Sequence, residues 1–319
     1  MTANAPQPLV AIVGPTGAGK SALALHLAGA FRAEIVNCDS LQVFRQFDIG
    51  TAKVTAAERA AAPHHLLDIV DPEGLFTAGD YARLGREALA AIAGRNNVPM
   101  IVGGTGFYLK ALLDGLFEGP QRDEALRQRL AVREQKRAGS LHRLLRRFDA
   151  AAAGRIHAND KNKTMRAVEI CLLARRPVSE LFRQGTAKLE GFAPILIGLD
   201  PPRAELYERL NRRAAAMFEE GLVEEVRGIL ARGVRASAKP FESLGYRQAL
   251  AVVEGKCTWA EAVEDTQKQT RHYAKRQWTW FKRDTRVSWI PGFGHWPQTQ
   301  QNALLTVVTQ FPGVEIFFR

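Results

Sequence analysis

Residues 14–21 read Gly14-Pro15-Thr16-Gly17-Ala18-Gly19-Lys20-Ser21, follow the apolar run LVAIV (9–13), and open the helical stretch SALALHLAGAF (21–31). The octet fits GxxxxGK[ST]. A strand before it and a helix after it are the context that separates a phosphate-binding loop from a chance glycine-rich turn. Glycines let successive backbone N–H groups turn toward one point, where a helix N-terminus adds positive potential. Lys20 contributes a point charge, and the Ser21 hydroxyl can ligate a Mg²⁺ ion bridging two phosphates. The motif alone leaves open which diphosphate is held, and ATP is the default occupant.

Working outward, apolar β-branched runs at 34–38, 99–102 and 194–199 read as further buried strands, with 287–290 a weaker one. Helical stretches at 20–31 and 78–93 lie between the first three strands, which predicts an α/β fold: a P-loop NTPase-like parallel sheet with right-handed crossovers. From 122 to 188 the strand signal disappears and helical spacing takes over at 124–137, 140–148, 149–156 and 163–173. This predicts an all-helical domain inserted at 122–188 into a core made of 1–121 and 189–319. Helices are again expected at 203–219, 222–231, 246–254 and 258–281. At 319 residues and 46% hydrophobic content the chain is long enough for a large unit and an accessory one.

Two strand ends carry an acid that could serve a phosphate site. Asp39 ends EIVNCD next to the P-loop helix, where ligands bind in open α/β sheets. The following Ser40-Leu41-Gln42 adds a hydroxyl and an amide suited to an adenine edge. A capping role is the alternative for Asp39. Asp200 ends ILIGLD before Pro201-Pro202, so a turn and a cap for the next helix are expected there. The third strand runs into Gly103-Gly104-Thr105-Gly106-Phe107-Tyr108. Glycines at a strand end allow close approach of a ligand, and Thr105 brings a hydroxyl to the same sheet edge. A structural turn is the alternative.

The charge is unevenly placed. Residues 1–120 hold 9 Lys and Arg against 11 Asp and Glu, whereas residues 122–188 hold 17 against 7, a net of +10 out of a total of +11. Such a segment suits a polyanion, although a solvated Arg-rich helix surface has the same composition. Residues 271–283 interleave Lys275, Arg276, Lys282 and Arg283 with Tyr273, Trp278, Trp280 and Phe281, a mixture that can grip a nucleic-acid backbone and stack on bases. At helical spacing, Trp278 and Phe281 are assigned to packing. Cys38, Cys171 and Cys257 match neither metal-ligand nor redox spacing. No run approaches the roughly 18–20 apolar residues of a membrane span. The start shows neither a signal nor a transit pattern, so a cytoplasmic protein is expected.

Together these segments resemble the tRNA dimethylallyltransferases, which transfer an isoprenoid group from dimethylallyl diphosphate to N6 of adenosine 37. The blocks carrying the resemblance run nearly end to end: GPTGAGKS, DSLQVFRQFDIGTAK (39–53), PHHLLDIVDP (63–72), GGTGFYLKALLDGL (103–116), RIHANDKNKTMRAVEI (155–170), NRRAAAMFEEGLVEEV (211–226), LGYRQ (244–248) and TRHYAKRQWTWFKR (270–283). The resemblance implies that Gly14, Thr16, Gly17, Ala18, Gly19, Lys20 and Ser21, joined by Arg213, hold the departing diphosphate, with Mg²⁺ on Ser21 and no hydrolysis of a triphosphate. It implies Asp39 as general base on the adenine N6, Thr105 at the reacting amine, and Ser40, Leu41 and Gln42 around the base. It further implies tRNA contacts at Arg127, Asn162, Lys163, Thr164, Met165, Arg166, Gly245, Tyr246, Arg247, Lys275, Arg276, Gln277 and Lys282. The implied partners are tRNA and dimethylallyl diphosphate, and a monomer is expected.

The chain departs from the family pattern at Phe44 and Phe107, where tyrosine and an aliphatic residue are commoner. Lys163 replaces a more usual arginine, which turns a bidentate contact into a point charge. No zinc finger follows the catalytic body, as in the short bacterial form. A P-loop kinase would need a compact arginine lid rather than basicity spread over 67 residues. An adenylate isopentenyltransferase needs no large basic appendage. A non-catalytic RNA-binding ATPase switch leaves DSLQ and GGTGFY without a role.

Overall fold

The computed structural model describes residues 6–117, 119–183, 185–313 and 317. Six strands form one all-parallel sheet: β1 (Gln7–Val13), β2 (Ala33–Asn37), β3 (His64–His65), β4 (Val98–Val102), β5 (Phe192–Asp200) and β6 (Val287–Pro291). Their order across the sheet is β3-β2-β4-β1-β5-β6. The chain therefore builds one side of the sheet through β2, β3 and β4, then crosses β1 to add β5 and β6. The carboxyl ends of β2, β4 and β1 consequently stand side by side, near the reversal of strand order where open α/β sheets bind ligands.

Every residue of β2 and β4, and 9–13 of β1, is buried. Strands covered on both faces read as continuous apolar runs, and that is why these strands and the buried 195–199 of β5 are legible in the sequence, whereas the half-covered β6 gives a weaker signal. β3 has two residues and leaves no periodic signal. It is held instead by a side-chain cluster, in which Glu34 of β2 accepts His65 Nε2 at 2.7 Å, Asn97 Nδ2 at 2.7 Å and both arms of Arg95 at 2.7 and 3.0 Å. Hydrogen bonding from Arg95 holds the Glu34 carboxyl down to about 2 against the cost of its burial.

The helices are α1 (Lys20–Phe31), α2 (Ala56–Ala61), α3 (Ala78–Ala93), α4 (Gly106–Asp114), α5 (Glu124–Lys136), α6 (Ser140–Phe148), α7 (Ala150–Arg155), α8 (Lys161–Ala174), α9 (Val178–Arg183), α10 (Arg203–Glu219), α11 (Leu222–Ala231), α12 (Tyr246–Val253), α13 (Trp259–Phe281) and α14 (Pro297–Gln310). α13 begins on a capping box in which Thr258 accepts the Glu261 N–H and Glu261 accepts the Thr258 N–H, so two orphan donors of its first turn are satisfied reciprocally. One expectation fails here. Asp200 ends β5 but does not cap α10, whose N-cap is Pro202 with no side-chain cap. Its carboxylate faces Lys282 Nζ at 3.5 Å instead.

The chain divides into two compact units, 1–113 with 189–319, and 114–188. The sheet unit packs Leu23, Leu27 and Phe31 of α1 against β1, β2 and β4, and adds a second core around Phe47, Phe241 and Tyr246. The helical unit has its own core of Leu126, Leu130, Leu141, Leu145, Val168 and Ile170. At its centre Glu169, with no exposed surface, accepts the Asp123 N–H at 2.9 Å, Arg127 Nη1 at 3.1 Å and Arg166 Nη1 at 2.7 Å. A carboxylate can be buried so deeply only with such partners.

Candidate active site

β1 delivers the phosphate loop. Gly14, Gly17 and Gly19 have φ of 131°, 78° and 89°, the left-handed region that glycine enters without penalty, and α1 starts directly behind them. Lys20 Nζ donates back to the carbonyls of Gly14 at 3.1 Å and Pro15 at 2.9 Å. Lys20 is half-buried as a residue, and desolvation of its ammonium lowers its pKa to about 8, Asp39 opposing the shift. The loop is braced from behind by the segment after β6. The Gly294 N–H donates to Ala18 O at 2.9 Å, and a Cβ on Gly19 would lie 2.9 Å from Gly294 N.

β2 and β4 deliver the other two sheet-edge segments, and the structure brings both to the loop. Asp39 is fixed at its backbone by Asn37, whose Oδ1 accepts the Asp39 N–H at 3.1 Å, and its Oδ1 accepts the Leu41 N–H at 2.8 Å. Thr105 Oγ1 accepts the Ser40 N–H at 3.1 Å, while the Thr105 N–H donates to Cys38 O at 3.1 Å. Gln42 donates through Nε2 to Thr51 O at 3.1 Å, so its amide anchors the 48–53 loop within this apparatus. Burial, with Tyr81 hydrogen bonding opposing it, pushes the Cys38 thiol up to about 12, which makes it an inert neighbour rather than a nucleophile.

Two cavities of about 380 and 420 Å³ open at this edge. The smaller is floored by Gly17, Gly19, Lys20 and Ser21 and reaches Arg209. The larger is bordered by Leu210, Met217, Gly245, Arg247 and Arg276. Thr16, Asp39, Thr51, Arg213 and Tyr273 line both. Arg213, from α10, has its pKa depressed by burial and supported by Asp39, and a guanidinium stays charged under such a shift. Burial, then Asp39, raises the Tyr273 phenol, which stays protonated. A half-buried carboxylate thus stands between a cationic phosphate cradle and a second, partly apolar chamber.

Among the described residues no three His, Cys, Asp or Glu side chains converge on a metal position. The Ser21 hydroxyl does line the cradle. Mg²⁺ is commonly held by one or two protein oxygens plus phosphate oxygens and water, and this donor set fits that pattern.

The residues proposed for RNA separate into two groups. Asn162, Lys163, Arg247, Lys275, Arg276 and Lys282 are exposed, with Lys163 paired to Asp160 at 2.8 Å. Thr164, Gln277 and Tyr246 are not: each is at most 5% exposed, which corrects their assignment as RNA contacts. The Tyr246 hydroxyl receives the Gly50 N–H at 3.1 Å and donates to Glu225, which also accepts the Ile49 N–H at 2.9 Å. Tyr246 therefore holds the 48–53 loop from inside the core. Arg127 and Arg166 are committed to Glu169, Met165 packs on the helical unit's core, and Gly245 is the N-cap of α12. Phe281 is buried and Trp278 packs with Leu206 and Leu210, as assigned. Sequence reasoning missed Arg209, Thr51 and the brace at Gly294. Arg209 stands one helical turn before Arg213, a spacing that puts both on one face of α10. The other two come from loops and leave no periodic trace.

The family model described as "IPP transferase" matches residues 42–284. The chain is 57% identical over 297 residues to a tRNA dimethylallyltransferase of Solibacter usitatus, covering 93% of this chain and 97% of that one. It is similar to the crystal structure of a tRNA isopentenylpyrophosphate transferase from Bacillus halodurans, with a TM-score of 0.70 and 34% identity over 95% of this chain and 98% of that one. A eukaryotic dimethylallyltransferase acting on tRNA shares the fold, with a TM-score of 0.81 at 24% identity over 98% of this chain and 81% of that one. The chain belongs to the IPP transferase family.

Proposed function

We propose that this protein transfers a dimethylallyl group from dimethylallyl diphosphate to N6 of adenosine 37 in tRNA and releases diphosphate. The observation carrying this reading is that Asp39, Arg213 and Tyr273 line both the phosphate cradle and the adjoining chamber. A carboxylate between two chambers suits transfer from one to the other. Hydrolysis of a triphosphate would need only the first.

The exocyclic amine of adenine is a weak nucleophile because its lone pair is delocalised. In the reaction N6 bonds to the allylic carbon, the carbon–oxygen bond to diphosphate breaks, and the N6 proton passes to the Asp39 carboxylate. Negative charge grows on the departing oxygens, where amides of the loop, Lys20 and Arg213 would stabilise it. Mg²⁺ held by Ser21 and the diphosphate would add Lewis-acid stabilisation there. Thr105 keeps the Ser40 N–H, and with it the arm carrying Asp39, in place. The base must leave the anticodon stack to enter the chamber. Exposed arginines of the helical unit would hold the tRNA backbone without reading its sequence. The protein would act in the cytoplasm as a monomer, which size-exclusion chromatography tests.

Incubation with unmodified tRNA and prenyl-labelled dimethylallyl diphosphate should place label on tRNA, and labelled ATP should transfer nothing. ATP turnover without prenylation would sink the proposal and favour a kinase.

A further inference from the structure

α13 contributes one buried side chain that the proposed chemistry does not use. Gln277 is 5% exposed, its Oε1 accepts the Thr16 N–H at 2.7 Å, and its Nε2 donates to Gly104 O at 3.0 Å. Thr16 belongs to the phosphate loop after β1, and Gly104 to the turn after β4. A carboxamide offers an acceptor and a donor from one planar, uncharged group, and Gln277 uses both. The turn is shaped for it: a Cβ on Gly104 would lie 2.1 Å from Gln277 Nε2, and a Cβ on Gly106 would lie 2.1 Å from Nε1 of Trp280, one turn further along α13.

From this junction the connections run in two directions. Gly104 precedes Thr105, whose hydroxyl receives the Ser40 N–H beside Asp39. Tyr273, one turn before Gln277, lines both cavities, and the exposed Arg276 borders the larger. One amide thus joins the cradle, the arm carrying the base and the helix whose exposed face bears Lys275, Arg276 and Lys282.

We infer that Gln277 is a positioning residue that fixes the separation between the diphosphate cradle and Asp39, and is not itself an RNA contact. The inference rests on the proposed function for the meaning of that separation. The two bonds themselves do not depend on it. Displacement of a reacting group by about 1 Å costs on the order of 10²-fold in rate, and this is the scale expected for the loss of the tie.

The test compares Gln277→Met, which keeps length but neither bond, with Gln277→Glu, which keeps only the acceptor. Hydrogen–deuterium exchange of segments 14–21 and 103–106 is followed without substrates. Affinities for inorganic pyrophosphate and for unmodified tRNA, and the single-turnover rate, are then measured. Gln277→Met should expose the Thr16 amide to exchange and slow single turnover by about 10²-fold, while tRNA affinity stays within about threefold. Gln277→Glu should restore protection of Thr16. Unchanged Thr16 exchange in Gln277→Met, or a loss repaired entirely by saturating tRNA, overturns the inference. Should Gln277→Met fail to fold, an unprotected Thr16 amide in Gln277→Glu overturns it equally. A wild-type protein that does not prenylate tRNA sinks the proposed function instead, and the exchange result still decides whether Gln277 fixes the cradle.

Discussion

The two compact units carry their positive charge in opposite ways. The helical unit, 114–188, holds 17 Lys and Arg against 9 Asp and Glu, a net of +8 in 75 residues, and side chains such as Arg129, Arg133, Arg146 and Arg147 are exposed. The sheet unit has a net of only +3 over the other 244 residues, and its decisive cations, Lys20 and Arg213, are desolvated beside one carboxylate. Exposed charge attracts a large polyanion over a distance, is screened by salt and is spread over many interchangeable positions. Desolvated charge acts at contact, resists screening and depends on each residue. The first suits holding an RNA, the second stabilising a leaving group.

Breaking the desolvated side should give the largest effect. Asp39→Asn should slow single turnover by about 10²–10⁴-fold, the range of a lost general base. Pyrophosphate and tRNA affinities should stay within a few fold. Single-turnover kinetics at saturating tRNA checks this, and a near wild-type rate removes Asp39 from the role of base. Lys20→Met should weaken pyrophosphate binding by about 10–100-fold, as expected for a hydrogen bond from a charged group. Titration calorimetry reads it, and the loss should change little between low and moderate salt.

The exposed side should respond otherwise. Replacing Arg129, Arg133 and Arg146 together by Gln should leave pyrophosphate binding intact. The slope of log tRNA affinity against log salt should flatten by about 2–3, since each released counterion contributes just under one. Filter binding at several salt concentrations measures this, and an unchanged slope would leave the helical unit's charge without a partner.

The acid–base behaviour of Lys20 sharpens the same contrast. Its folded pKa of about 8 lies below the ordinary lysine value of 10.5, so the ammonium that binds diphosphate is present below pH 8 and lost above it. Pyrophosphate affinity should be flat to about pH 8 and then fall by up to about tenfold per pH unit. Folding moves in the opposite sense: between pH 8 and 10.5 the unfolded chain binds the proton that folded Lys20 sheds, so this group's contribution to stability rises with pH over that interval. The smallest effect belongs to the interior. Tyr246→Phe should cost about 1–3 kcal/mol through the unpaired Gly50 N–H and the donor lost to the Glu225 carboxylate, seen as a fall in Tm, and leave tRNA affinity unchanged. A weaker tRNA affinity with unaltered Tm would return Tyr246 to the RNA interface.

Legibility in the sequence followed the same division. The buried strands and the long amphipathic helices announce themselves because burial on two faces or one imposes a continuous or periodic apolar pattern. Gly14–Ser21 and Asp39 are legible because a phosphate cradle and an acid at a strand end need particular residues at particular spacings. What resisted reading depends on contacts distant in the chain. Gln277 meets Thr16 across 261 residues, and inside a block of basic and aromatic residues its amide looked like one more RNA contact. Tyr246 and Thr164 escape reading likewise, since a polar side chain turned into the core is indistinguishable in sequence from one facing solvent. Arg209 was within reach, four residues before Arg213 on the same helix. β3 and the Gly294 brace are set by side-chain and backbone partners alone, without a pattern of their own.

At the centre of the proposed reaction this P-loop holds a departing diphosphate, and Asp39 receives the proton from an RNA base. This is tested most directly by product stoichiometry with dimethylallyl diphosphate, ATP and unmodified tRNA present together. One diphosphate should be released per prenylated adenosine, with no orthophosphate. Orthophosphate release at the expense of ATP, with no prenylated tRNA, would contradict it.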